Sequence, residues 1–132
     1  MWRRDVDFPT CKIMCILLVD DNVDALNGVS HYLRQRGHDV QSTSDPVEAL
    51  QIAPGFLPEV AVLDIGLPVL DGYALAKELR KQANLQKLPL IALTGYGQPK
   101  DVENSRRSGF TAHLVKPVLL HDLDRAIASV TA

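Results

Sequence analysis

Apolar residues fall along this chain in compact blocks whose period changes from block to block. Ile13 to Val19 is an unbroken apolar run, which predicts a strand covered on both faces. Val23 to Arg36 changes to a helical period, with Leu26, Val29 and Leu33 on one stripe and Gly37 as a stop signal. His38 to Thr43 is short and polar, which suits a strand at a sheet edge. Asp45 is a cap candidate, with Pro46 at the first helical position and Val47, Leu50 and Ala53 as the stripe. Val60-Ala61-Val62-Leu63 predicts a second buried strand, and Asp71 a cap for a helix carrying Leu75 and Leu79. Leu88 to Leu93 and Ala112 to Val115 predict two more strands. Between them, residues 99–108 read as a weak helix with only Val102 strongly apolar. Leu119 to Val130 closes the series, with Leu120, Leu123, Ile127 and Val130 on one face. Five successive β–α pairs predict the α/β class: a parallel sheet with helices on both faces.

Composition narrows the class. The 132 residues fit one domain, and 46% apolar with 23% charged residues is ordinary globular usage. The formal net charge is −2, with no long basic run, so direct nucleic-acid binding is disfavoured. No apolar run approaches the length of a membrane span. Met1-Trp2-Arg3-Arg4 and the apolar run after it imitate a signal peptide. The run ends in Asp20-Asp21, however, and no small-residue cleavage site follows. A soluble, cytoplasmic protein with no membrane contact is therefore expected. Cys11 and Cys15 lack a completing Cys or His pair and read as buried, reduced thiols, with a local redox or metal role as the alternative.

In open α/β sheets the chemistry sits beyond the carboxyl ends of the strands. The first strand ends in Asp20-Asp21, the third in Asp64, the fourth in Thr94-Gly95 and the fifth in Lys116-Pro117. Three acids, a hydroxyl and an ammonium thus converge on one rim. Two like charges at roughly 4 Å cost about 4 kcal/mol at an effective dielectric near 20, so something must offset the acids. A hard divalent cation with oxygen ligands does so, and the lysine helps. The inventory points to phosphoryl handling, with one carboxylate as nucleophile and the other groups neutralising the transferred charge. Single strand-end acids are more often helix caps or solvated turns; the five arriving together carry the inference.

With these motifs the chain resembles the receiver domains of two-component response regulators. The resemblance covers about residues 12–130. It rests on Asp20-Asp21-Asn22, Leu63-Asp64-Ile65-Gly66-Leu67-Pro68 with Asp71-Gly72, Thr94-Gly95 and Lys116-Pro117, in that order. It implies a flavodoxin-like doubly wound sheet, (βα)5, with strand order 2-1-3-4-5. It implies Asp64 as phosphoacceptor from a kinase phosphohistidine. Mg²⁺ would be held by Asp21, Asp64 and the backbone carbonyl of Gly66, with Asp20 acting through a water. Thr94 would bond the phosphoryl group, and Lys116 would pair with it or, before transfer, with Asp64. The Lys116–Pro117 bond would be cis. Gly95, Tyr96 and Pro117 would flank the site. Expected partners are a histidine kinase or phosphotransfer protein as donor and a downstream protein; a monomer or weak dimer is expected. Residues 1–11 read as a tail, 12–130 as the receiver, and no output domain is expected.

Some positions depart from the family pattern. The residue three before the lysine is His113 where many receivers carry Tyr or Phe, which puts the usual switch coupling with Thr94 in question. A half-exposed, solvated histidine is the simpler reading there. His31, His38 and His121 lack the neighbours of a phosphorelay histidine and read as solvated surface. A phosphatase with a strand-end Asp nucleophile would need a second Asp where Gly66 stands. A binding module that acts without phosphorylation would normally have lost an acid, the threonine or the lysine. A flavin-binding flavodoxin would need a Ser/Thr/Gly-rich loop where Asp20-Asp21-Asn22 stands.

Overall fold

The computed structural model describes residues 13–67, 70–95 and 107–131. Its elements alternate: β1 (Cys15–Val19), α1 (Val23–Gln35), β2 (Asp39–Thr43), α2 (Pro46–Phe56), β3 (Val60–Asp64), α3 (Gly72–Arg80), β4 (Leu90–Thr94), β5 (Ala112–Val115) and α4 (Leu120–Val130). The strands form one sheet in the order β2-β1-β3-β4-β5, and every pairing is parallel. This is the flavodoxin-like arrangement, with β1 and β3 at its centre. Parallel neighbours need crossovers, and the helices supply them on both faces.

Every residue of β3 and of β4 is buried, as unbroken apolar runs require of strands covered on both sides. Leu17, Val19, Leu63, Leu90 and Ala92 pack with Ala49, Ala53, Leu75 and Leu79, so α2 and α3 cover one face. Ile16, Leu18, Val62, Ile91 and Leu93 pack with Leu26, Leu33, Leu123 and Ile127, so α1 and α4 cover the other. Asn22, Asp45 and Asp71 cap α1, α2 and α3, each accepting a backbone N–H of the first turn. No helix among the described residues is long and apolar enough to cross a membrane.

Several expectations shift. The buried stripe of α2 is Pro46, Ala49 and Ala53, while Val47 is exposed and Leu50 half-buried. The proline at the first position already faces the sheet, which turns Val47 outward by one helical step. Likewise α4 buries Leu123 and Ile127 but leaves Leu120 at its exposed start. Strand β4 begins at Leu90, because Leu88 is buried in the preceding turn. Cys15 opens β1 and is half-buried rather than buried; burial, Glu59 and Asp39 push its thiol up, which makes it a poor nucleophile. The tail of residues 1–11, Cys11 and Tyr96 lie outside the described residues, as does the weak helix at 99–108 apart from Arg107 and Ser108.

His38 is the clearest correction. It is buried, not solvated, and its Nδ1 accepts the Met14 N–H at 3.0 Å. Gly37 turns the chain at φ +96°, and the His38 N–H bonds back to the Leu33 carbonyl, which folds the ring against β1. Arg36 Nε stands 3.5 Å from Asp124 Oδ2, and the Tyr32 hydroxyl donates to the same carboxylate. Burial holds the imidazole below its usual value of 6.5, with Asp124 pulling up and Arg36 pulling down. His31 and His121 are exposed as expected, with Arg125 donating to His121 Nε2 at 3.2 Å.

A group whose proton is disfavoured in the fold stabilises the fold while it is neutral. His38 should thus contribute fully above pH 6.5, and the contribution should fade as pH falls towards its lowered value. Urea unfolding of the parent and of His38→Gln between about pH 7.5 and about pH 5 checks this. The expected loss in the parent is on the order of 1 kcal/mol, and the variant should lack that portion of the slope.

Candidate functional site

Parallel pairing brings the carboxyl ends of β1, β3, β4 and β5 to one rim. The register pairs Val19 with Leu63, Asp64 with Leu93, and Thr94 with Val115. Asp20 therefore follows β1 beside the end of β3, where Asp64 is the last residue. Asp20, Asp64 and Thr94 are all buried, and Asp21 is exposed. One carboxylate oxygen from each of Asp20, Asp21 and Asp64 lies within 4.8 Å of the other two.

Lys116 joins them. Its Nζ donates at 3.1 Å to Asp20 Oδ1 and at 3.1 Å to Asp64 Oδ2. Its backbone N–H donates to the Thr94 carbonyl at 2.7 Å, which anchors the lysine to the end of β4. The Lys116–Pro117 peptide bond is cis, as expected. The Asn22 N–H donates to Asp20 Oδ1 at 3.0 Å, and the Gly66 N–H to Asp64 Oδ1 at 2.9 Å.

These contacts set the charges. Burial pushes the Asp20 carboxyl up; the Asn22 N–H and Lys116 pull against it without winning. Burial acts on Asp64 in the same sense, but the Gly66 N–H and Lys116, with Asp21 beside them, hold it below the usual range. Burial lowers Lys116, and its bonds to Asp64 and Asp20 more than restore it, so the ammonium stays charged. The two buried acids thus differ: Asp64 is firmly ionised, whereas Asp20 carries its charge at a cost.

The donor set fits a hard divalent cation. It offers carboxylate oxygens, no soft ligand, and more negative charge than one ammonium offsets. Gly66 and Gly95 are exposed, and a Cβ at Gly95 would meet nothing within 4 Å, so the approach to the rim is open there. His113 is half-exposed on β5, opposite Ala92. Beside the rim, α1 and the β5–α4 connection enclose a cavity of about 590 Å³, walled by Leu26, Val29, Leu93 and Val118, with Asp20 and Lys116 at its edge.

Two features escaped the sequence reading. The first is the bond from Lys116 to Asp20 as well as to Asp64; residues 96 positions apart carry no local signal of it. The second is the reason for Gly72. A Cβ there would stand 2.5 Å from the Asp64 carbonyl oxygen and 2.7 Å from Ile65 Cα. The first residue of α3 is packed directly on the backbone that carries Asp64.

The chain matches the response regulator receiver domain family over residues 16–128. It belongs to that family. As a receiver of two-component systems it is a signalling domain. A 14.6 kDa uncharacterised protein of Leptolyngbya boryana is 36% identical over 109 residues, 83% of either chain. The chemotaxis protein CheY4 of Vibrio cholerae superposes with a TM-score of 0.85 at 29% identity, covering 90% of this chain and 99% of CheY4. The receiver domain of sensor histidine kinase PA1611 from Pseudomonas aeruginosa, with magnesium coordinated in its active-site cleft, gives 0.81 at 32% identity, covering 91% and 98%. The chain spans about half the length of the transcriptional regulators it also matches.

Two outcomes are expected from this geometry. Asp20→Asn removes one of three crowded carboxylates, so without divalent cations it should raise stability by about 1 kcal/mol in urea unfolding. Gly72→Ala should cost about 2–3 kcal/mol and weaken divalent-cation binding in a fluorescence or calorimetric titration, because the intruding methyl must displace Asp64 or α3.

Proposed function

We propose that this receiver is a phosphorylation switch in a two-component phosphorelay, with Asp64 as phosphoacceptor. The observation that carries the reading is the shared ammonium: Lys116 Nζ bonds Asp64 and Asp20 at 3.1 Å each, beside Asp21. The donor is a phosphohistidine on a histidine kinase or phosphotransfer protein, met in the cytoplasm. One Asp64 carboxylate oxygen bonds to phosphorus as the P–N bond breaks, and the imidazole leaves with the electron pair. The Gly66 N–H keeps the other carboxylate oxygen in place.

Asp21 and Asp64 would hold Mg²⁺ together with the Gly66 carbonyl, with Asp20 acting through a water. The ion would supply neutralising charge for the transferring oxygens. Lys116 then exchanges its bond to Asp64 for one to a phosphoryl oxygen. Thr94, at the end of β4, donates its hydroxyl to the same group, and His113 on the neighbouring strand responds to that move. Gly95 and Pro117 border the phosphoryl group. The resulting difference between two conformations is what a downstream protein reads. The chain's own chemistry is confined to assisting this transfer and its reversal by hydrolysis.

Intact mass after incubation with Mg²⁺ and acetyl phosphate tests the reading, with Asp64→Asn beside the parent. Gain of one phosphoryl group by the parent alone is expected. Gain by both proteins would overturn Asp64 as acceptor. Absence of gain from acetyl phosphate and from a phosphohistidine donor alike would leave a module that works without phosphorylation.

A further inference from the structure

A second concavity, remote from the α1 side of the rim, lies along the outer face of α3. It has a volume of about 620 Å³, and its lining includes Tyr73, Lys77, Arg80, Lys81, Arg107 and Ser108. Four of the chain's 14 Lys and Arg residues therefore border one small cleft, in a protein whose net charge is −2. Among the described residues, the acid that lines it is Asp71, whose Oδ1 is occupied as the α3 cap by the Ala74 N–H at 2.9 Å. Lys81 pairs with Glu78 at 2.8 Å on the exposed surface, where screening makes such a pair weak. Among the described residues neither Lys77 nor Arg80 pairs with a carboxylate.

Arg80 distinguishes this cleft from a solvated basic surface. Its Nε and Nη2 donate to the Leu88 carbonyl at 3.3 and 2.8 Å. On its other side Nη1 lies against Gly109, where a Cβ would come within 2.3 Å of it and where φ +87° already calls for glycine. The group is half-buried and fixed by two bonds, yet a neutral carbonyl is its partner. A cation partly withdrawn from water and left without an anion is costly, and an anion supplied from outside removes that cost. The end of a helix rewards cations in its last turn and at its C-cap, which accounts for Lys77, Arg80 and Lys81 standing there but not for the lack of an anion at Arg80. Arg107 reaches the same cleft from a separate segment. The guanidinium fork, ammonium groups and the Ser108 hydroxyl together form a donor set suited to phosphate oxygens. Tyr73, edge-on to Phe110 at 6.1 Å between ring centroids, adds an aromatic wall for an organic moiety. The volume is that of a small-molecule site, and a long acidic segment would need an extended groove.

We propose that the cleft between α3 and Arg107-Ser108 binds a small organic phosphate carrying two or more negative charges, with Arg80 as fixed anchor and Lys77, Lys81 and Arg107 as flanking cations. The site uses none of the acid-rim residues and stands whether or not Asp64 is a phosphoacceptor.

The test is a ¹⁵N NMR titration of the whole chain with ADP and, separately, with pyrophosphate. EDTA and low salt are used, so that no divalent cation draws phosphate to Asp64. Saturable shifts centred on the amides of Tyr73, Lys77, Arg80, Lys81 and Ser108 are expected with both probes. Equal affinities would assign the binding to charge; tighter ADP would add the Tyr73 wall. Both outcomes support the site. The double variant Lys77→Gln, Lys81→Gln replaces two exposed side chains and should fold as the parent does, with affinity about tenfold lower. The proposal is overturned by absence of saturation at concentrations on the order of millimolar. Unchanged affinity in the double variant, or shifts centred on residues 20, 21 and 64, would also overturn it. A hexaglutamate peptide binding more tightly than ADP would reject it in favour of an acidic protein partner.

Discussion

One ammonium shared between two buried carboxylates holds the functional end of this molecule together. Asp20 and Asp64 sit at the ends of central strands, where the sheet and its two helical layers keep water away. Without Lys116 between them, their charges would drive the β1 and β3 ends apart. The lysine arrives from the far side of β4, tied by its own N–H to the Thr94 carbonyl. The rim is thus cross-linked electrostatically over three strands, and the sheet order is what makes the cross-link possible.

That order also explains why so much of the architecture could be read from residues alone. Strands β1, β3 and β4 are covered on both faces, so burial imposes unbroken apolar runs that no helix among the described residues imitates. Polar β2 lies at an edge, as its composition requires. What failed to show were features that depend on one residue's angle or on distant partners. Pro46 rotates the stripe of α2 past Val47. A left-handed Gly37 folds His38 inward, where a polar residue in a polar stretch had looked exposed.

The candidate site divides in the same way. Asp20, Asp21, Asp64, Thr94 and Lys116 were legible because strand ends in a parallel sheet have a known common location. The distribution of bonds among them was not, since Lys116 could have served Asp64 alone. Gly72 could be recognised as part of a motif, but its necessity appears only when the Asp64 backbone is seen packed against it.

The balance of formal charge has a consequence for how the molecule looks from a distance. The three rim acids and Lys116 together carry −2, and so does the whole chain. Everything else sums to zero, with thirteen cations against thirteen acids. At separations beyond the molecule's own dimensions, its net attraction for a divalent cation is therefore that of the rim alone, and occupancy there by one such ion would extinguish the protein's monopole.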